Sequence, residues 1–250
     1  MPPQELRLPA IRPPDTLIRR SLDAGIALAL LILMSPLLIS VAALVLLTSR
    51  GSLFYRQKRV GQGGNLFDIY KFRTMQTGAD RHGPFVTSAD DCRISPAGRF
   101  LRRSKLDELP QLWNVVRGDM SLVGPRPQVP RFVDCFEPSL RSLVLHVRPG
   151  ITGPAALHFR HEESMLADKT DRENFYIEKI LPVKLQMDAE YVRNRTLGSD
   201  LKILSQTAWI FSVAPVKQVL SFKAVRGQHH MPPPGQAAPE IRELSTVERT

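Results

Sequence analysis

The chain is short of cysteine, short of acids and, over one long stretch, free of charge altogether, and each shortage excludes something. Two cysteines in 250 residues, Cys92 and Cys135, provide neither a disulfide framework nor a thiolate metal cluster, so they are expected to be unrelated thiols. Asp and Glu number 24 against 34 Lys and Arg, a net charge of +10. That imbalance points to anionic partners: nucleic acid, anionic lipid or phosphorylated small molecules. The interleaving of aromatic and basic residues used by single-strand binders is also missing, which argues against nucleic acid. Near the start there is no short apolar core followed by a small-residue cleavage site, so a retained anchor is expected instead of a cleaved signal.

The anchor candidate is the uncharged run of 26 residues from Ala24 to Ser49, preceded by Arg19, Arg20 and Asp23 and closed by Arg50. As a helix it would be ~39 Å long, enough for a ~30 Å hydrocarbon layer. Ser35-Pro36 lies near its middle, where proline removes the bond to the Ile32 carbonyl and bends the helix. A kinked spanning helix would tolerate that too. Basic residues flank both ends, however (Arg19 and Arg20, then Arg50, Arg56, Lys58 and Arg59). The positive-inside preference is best met if both ends face the cytoplasm. A re-entrant hairpin over residues 18–50, broken at Ser35-Pro36, is therefore favoured over a crossing, and either geometry leaves the remainder cytoplasmic.

Residues 1–17 are Pro-rich and expected to be disordered, as is a Pro/Gly/Gln-rich tail over 225–250. Between them, 51–215 should form one cytoplasmic catalytic domain. A strand is expected at Leu66–Tyr70, set off by Gly61, Gly63 and Gly64. Helices are expected from Asp107 to the Gly118 turn, near 128–145, over 172–196 with Pro182 inside, and over Asp200–Val213. Ser121–Pro127 reads as a loop and Arg148–Pro154 as a turn. The last helix carries Leu201, Leu204, Ala208 and Phe211 at helical spacing, and either a membrane interface or the core could receive them.

Leu106–Asn114 holds the chemical candidates, Asp107 and Glu108. With Asp107 as helix N-cap, Pro110 falls in the first turn, where its missing N–H costs nothing, and both carboxylates sit at the positive end of the helix dipole. Capping alone would account for them. Yet eleven Lys and Arg stand between Gly51 and Leu106 against four acids. A carboxylate pair embedded in cationic sequence suits phosphoryl chemistry: the cations neutralise a diphosphate, the carboxylates hold Mg²⁺, and one of them attacks phosphorus. A basic membrane-bound scaffold would explain the charge but not the pair. A pyrophosphatase that uses water as nucleophile would explain both.

Phe54–Gly61 (FYRQKRVG), Tyr70–Met75 (YKFRTM), Leu106–Asn114 (LDELPQLWN), Arg117–Pro127 (RGDMSLVGPRP) and Arg148–Pro154 (RPGITGP) occur in this order. Together they resemble the bacterial sugar transferases, the monotopic polyprenol-phosphate phosphoglycosyl transferases, over about residues 18–213. The resemblance implies a helix-dominated α+β fold on a re-entrant hairpin at the cytoplasmic face of the bacterial inner membrane. It implies a UDP-sugar donor, a polyprenyl (undecaprenyl) phosphate acceptor and Mg²⁺. By motif position Asp107 would be the nucleophile, Glu108 (with Asp107) the metal ligand, Lys71, Arg73 and Arg102 phosphate contacts and Arg126 a nucleotide contact. The product would begin an exopolysaccharide, capsule or O-antigen type glycan. Many relatives carry Trp-Ala-Gln-Val and Gly-Arg after the position of Gly153, whereas this chain has Pro154–Glu163 (PAALHFRHEE). That block is a variant branch, and a loop role is expected for His158 and His161 over metal binding. The multi-helix membrane domain of longer relatives is not present in this sequence, which resembles the minimal catalytic form. A homodimer and the identity of the sugar are left open.

Overall fold

The apolar run folds into two helices. In the computed structural model, which describes residues 16–76, 78, 79, 86–88 and 91–210, α1 (Leu17–Leu33) and α2 (Ser35–Thr48) meet at Met34 with a bend of 65°. The break is where Pro36 requires it, and the Ser35 hydroxyl donates to the freed Ile32 carbonyl at 2.8 Å. Among the described residues no single helix is long and apolar enough to cross a membrane; the bent pair passes that test only together. The hairpin leaves large side chains bare, Leu33 and Leu47 being 77% and 87% exposed.

Both helices contact the same body of protein. Arg20 donates to the carbonyls of Val115 and Val116, the latter at 2.6 Å. Arg19 pairs with Asp200 at 2.7 Å, and the Ser121 hydroxyl donates to Asp23 at 2.5 Å. On the other arm Val41 and Val45 pack with Phe72 and Leu101. The charges ahead of the apolar run are thus structural ties as well as flanking cations.

An antiparallel hairpin follows, β1 (Phe54–Val60) and β2 (Leu66–Phe72), with Val60 opposite Leu66 and Tyr55 opposite Lys71. The expected strand is longer than predicted by two residues and has a partner. Its connection places Gly63 and Gly64 at φ +67° and +84°, the left-handed region that glycine enters freely. Then come α3 (Pro96–Arg103), a 3₁₀ turn at Leu106–Glu108, and α4 (Gln111–Arg117). Here the expected capping fails: Asp107 and Glu108 lie in the separate turn, and α4 starts after Pro110, which has no side-chain cap. The turn is forced by Lys105, which adopts φ +55° and is the one non-glycine residue with positive φ among those described. Gly118 ends α4 in the left-handed conformation, as expected.

Two segments expected to be irregular contain strands. β3 (Ser121–Val123) and β4 (Gly150–Thr152) pair in parallel, Ser121 with Gly150 and Val123 with Thr152. Between them the expected helix is two, α5 (Pro130–Val133) and α6 (Pro138–Val144), because Pro138 restarts the chain after 134–137. Next are α7 (Pro154–His158), α8 (Glu162–Met165), α9 (Arg172–Phe175), a π-helical turn at Tyr176–Ile180, α10 (Leu181–Asn194) and α11 (197–210). Pro182 opens α10 without interrupting it. Of the expected α11 stripe, Leu204 packs against the core but Leu201 is 69% exposed, as is the neighbouring Trp209 at 70%, while Ile203, outside the stripe, is buried; the core-facing side is turned from the one expected. Ile69, Val115, Met120, Phe132, Leu166, Ile180 and Ala189 belong to that core. The architecture is α+β and helix-dominated, as expected. The disorder expected over residues 1–17 stops short of Thr16 and Leu17, which are the N-cap and first residue of α1 because the Thr16 hydroxyl accepts from the Arg19 N–H; residues 1–15 and 225–250, also expected to be disordered, and residues 211–215 of the expected domain lie outside the described residues.

The β3–β4 pair tolerates no side chain at its closest approach. A Cβ on Gly150 would stand 2.0 Å from the Gly124 nitrogen, where only backbone displacement could relieve the overlap. Gly150→Ala is expected to destabilise the fold by about 3 kcal/mol, read as a lowered midpoint in thermal unfolding; an unchanged midpoint would show that the pair is not tight.

Candidate active site

Asn114 is fully buried and acts as an extra strand edge for β2. Its amide donates to the Asp68 carbonyl at 2.8 Å and its oxygen accepts from the Tyr70 N–H at 3.1 Å. This fixes α4, and the turn before it, against the strand that carries Lys71. From there the Lys71 ammonium reaches Glu108 Oε1 at 2.8 Å.

Arg126 reaches the same carboxylate, Nη1 donating to Oε2 at 3.3 Å and Nη2 to Oε1, the oxygen that Lys71 also contacts. Its loop is held by backbone on both flanks. Gly124 N–H donates to Thr152 O and Gly150 N–H to Pro125 O, each at 2.9 Å, and Val60 N–H donates to Gln128 O at 3.0 Å. Arg59 adds a bond from Nη1 to Pro127 O at 3.1 Å.

The two adjacent carboxylates are pushed in opposite directions. Burial alone would raise Glu108, but Arg126 and Lys71 outweigh it and hold the group well below the usual carboxylate range. Asp107 is raised by its own burial and by the Glu108 charge beside it, against weaker help from Lys71, Lys105 and Arg102. Its Oδ1 is buried with no hydrogen-bond partner. Glu108 is therefore a committed anion and Asp107 a basic, uncommitted one, the split of roles that neighbouring carboxylates use to divide chemical labour. Among the described residues no three His, Cys, Asp or Glu side chains form a metal cluster. Mg²⁺ does not need one, since it typically takes one or two carboxylates with substrate phosphates and water. The orphaned Asp107 oxygen, with Glu108 beside it, fits that requirement.

Four of the six expected site residues converge: Asp107, Glu108, Lys71 and Arg126. Arg102 is close enough for its charge to act on Asp107, and it bonds Thr74 Oγ1 at 2.9 Å and Glu163 at 3.1 Å. Arg73 goes elsewhere. It donates from Nη2 to the carbonyl and the hydroxyl of Ser49, both at 2.8 Å, at the exit of the hairpin, and its Nε and Nη1 are buried without partners. His158 packs edge-on against Phe159.

Sequence reasoning missed Arg59, whose pKa burial and the neighbouring Arg126 bring down to about 10. The alternation of β1, exposed at Arg56 and Lys58 but turned inward at Tyr55, Gln57 and Arg59, is the signal that would have found it. It also missed Lys184, buried on α10, which pairs with Glu162 and lies over the rings of Tyr176 (5.0 Å) and Phe159 (5.5 Å). Asp188, one turn on, is raised to about 7 by burial.

A basic buried carboxylate, an ionised neighbour and several buried cations are the equipment of an enzyme that moves phosphorylated groups. The chain belongs to the bacterial sugar transferase family, whose model matches residues 14–213. It is similar to the UDP-N-acetylgalactosamine-undecaprenyl-phosphate N-acetylgalactosaminephosphotransferase of Aeromonas hydrophila, 36% identical over 192 residues, 76% of this chain and 42% of that protein. It is also similar to the exopolysaccharide production protein ExoY of Sinorhizobium fredii, 36% identical over 213 residues, 79% of this chain and 87% of that protein. A third relative is the UDP-glucose:undecaprenyl-phosphate glucose-1-phosphate transferase of Xanthomonas campestris, 38% identical over 191 residues, 74% of this chain and 37% of that protein. The chain thus spans less than half the length of the first and third, and most of ExoY.

Asp107 holds its proton more tightly in the fold than in the unfolded chain. Its ionisation therefore costs stability once pH rises above ~4, where the unfolded carboxylate ionises, and the full cost is present above the raised folded value. Asp107→Asn should raise the unfolding midpoint by about 2–5 °C at pH 7.5. The gain should vanish at a pH low enough to protonate the carboxylate in both states. A variant less stable than wild type at pH 7.5 would contradict the assignment of strain to this group.

Proposed function

We propose that this protein transfers a sugar-1-phosphate from a UDP-sugar to polyprenyl (undecaprenyl) phosphate and releases UMP. The carrying observation is Asp107: buried, raised, and holding an oxygen without a partner. The relatives' names support the donor and acceptor classes. The ordered cations support phosphate binding.

In this reading Lys71, Arg126 and Arg102 draw charge from the donor's diphosphate, so that an anionic nucleophile is not repelled. Asp107 attacks the β-phosphorus through a carboxylate oxygen. The bond from that phosphorus to the bridging oxygen breaks, and its electron pair leaves with UMP. The product on the enzyme is an aspartyl phospho-sugar ester. An oxygen of the polyprenyl phosphate then attacks the same phosphorus, the bond to Asp107 breaks, and the free carboxylate returns with no proton consumed overall. Mg²⁺, held by Asp107 and Glu108, would neutralise diphosphate charge and stabilise the departing phosphate. Glu108, pinned by Lys71 and Arg126, keeps its charge throughout. Arg73 is assigned to the acceptor's phosphate, because its two unpartnered nitrogens lie where the hairpin enters the domain.

The hairpin is read as re-entrant, dipping into the cytoplasmic leaflet of the bacterial inner membrane and returning. The contact of both helices with one body, through Arg19, Arg20 and Asp23 of α1 and Val41 and Val45 of α2, supports this. Basic residues at both ends agree with it. The lipid-linked product would begin an exopolysaccharide, capsule or O-antigen type glycan.

With labelled UDP-sugars, Mg²⁺ and polyprenyl phosphate, wild type should release UMP and label the lipid. Asp107→Asn should lose roughly 10³-fold or more of that rate, and chelation of the metal should stop wild type until Mg²⁺ is restored. Full transfer by Asp107→Asn would remove the covalent step and leave water or the acceptor as the direct nucleophile. For the hairpin, cysteines placed at both chain ends, in a background lacking Cys92 and Cys135, should resist an impermeant thiol reagent in intact cells. Labelling of the N-terminal cysteine alone would mean that the segment crosses.

A further inference from the structure

The segment over residues 154–163 ties the candidate site to α10 like a strap. It runs from α7 into α8, and its two adjacent acids reach in opposite directions. Glu162 pairs with buried Lys184 of α10, whose ammonium is caged between Tyr176 and Phe159. Glu163 pairs with Arg102 of α3 at 3.1 Å. Arg102 stands at the entry to the turn that holds the carboxylate pair, its carbonyl accepting from the Lys105 N–H at 3.1 Å and the Lys105 carbonyl accepting from the Glu108 N–H at 3.2 Å, and Glu162 is close enough to act on Arg126, so the strap is anchored beside the carboxylate pair. The two anchors differ in kind. Lys184 and Glu162 are mostly enclosed, with side chains 6% and 23% exposed, while Glu163 is 40% exposed. Glu162 fastens the strap, and Glu163 retains an open carboxylate edge.

The stereochemistry of phosphoryl transfer says what lies at that edge. The nucleophile and the leaving group occupy the two ends of one line through phosphorus. With Asp107 at one end and UMP at the other, the sugar oxygen must be equatorial, so the sugar projects sideways from the axis, close to Asp107. A side chain joined to Arg102 on the flank of Asp107 is placed to meet it. A carboxylate with an accepting edge suits the hydroxyl groups of a neutral sugar, and Phe159, partly buried in the same strap, offers an apolar ring surface.

We propose that the 154–163 strap is the donor-sugar recognition element, with Glu163 as the residue that discriminates between sugars by accepting their hydroxyl hydrogen bonds. This rests on the phosphotransfer reading above and goes beyond it by naming the group that selects the sugar.

The test compares wild type, Glu163→Gln and Glu163→Ala for UMP release from UDP-glucose, UDP-galactose, UDP-N-acetylglucosamine and UDP-N-acetylgalactosamine, with UDP binding measured alongside. Glu163→Ala should lower kcat/KM for the preferred donor by about tenfold or more and shrink its lead over the 4-epimer. Glu163→Gln, which keeps an accepting oxygen, should lie between, and the affinity for UDP, which lacks the donor sugar, should stay within about twofold. An equal fall for all four donors would overturn the proposal and reduce Glu163 to a counter-charge for Arg102. An unchanged profile would overturn it as well. Wild type inert toward every donor would instead bring down the phosphotransfer reading on which the proposal stands.

Discussion

The Glu108 carboxylate, gripped by both Lys71 and Arg126, is the interaction on which the rest of the site depends. A buried carboxylate without partners would cost several kcal/mol. With two cations it becomes a joint between three pieces of chain: the end of β2, the 3₁₀ turn and the 124–128 loop. The same joint decides what Asp107 is. Lys71 and Arg126 bond Glu108 directly and reach Asp107 only through space, so the neighbouring aspartate meets a negative charge at close range with no direct hydrogen-bond partner on Oδ1. One residue's satisfaction is the other's readiness, and the backbone bend at Lys105 sets up the turn that holds both.

The scaffold around this joint is made of short elements, and its precision comes from backbone bonds between loops more than from long regular structure. The two-residue register of β3 and β4, the Asn114 amide acting as a strand and the Arg59 bond to Pro127 all fix segments that would otherwise be free to drift. Glycine at 150 is part of that device, because the 124–128 loop sits against a backbone with no room for a side chain between them.

What the sequence disclosed follows the range of the forces involved. The break at Ser35-Pro36, the Gly118 stop and the strand after Gly64 were legible because proline and glycine act on their own neighbours. Asp107, Glu108, Lys71 and Arg126 were legible only together, as charges in ordered motifs. The capping register was misjudged because Lys105 takes a conformation that no propensity favours, and that moved the helix start beyond Pro110. β3 and β4 were invisible because three-residue strands pairing across 26 intervening residues leave no periodicity. Arg73 was placed with the phosphates by its motif, yet it stands one residue past the end of β2, and there its guanidinium donates to Ser49 while Lys71, inside the strand, reaches Glu108. Lys184, Glu162 and Glu163 belong to a cluster built from distant segments, and nothing local marks them.

Arg20 has a further consequence. It closes the carbonyl end of α4, while the other end of that helix leads out of the turn holding Asp107. A seven-residue helix is a rod of about 10 Å, so the first turn of α1 and Asp107 are joined by a stiff strut, not a linker. In the proposed setting this makes the hairpin a depth gauge. A tilt or a vertical shift of the anchor in a thicker or thinner bilayer would be delivered to Asp107 as displacement, and a lipid phosphate held at headgroup level would meet the carboxylate at one height only.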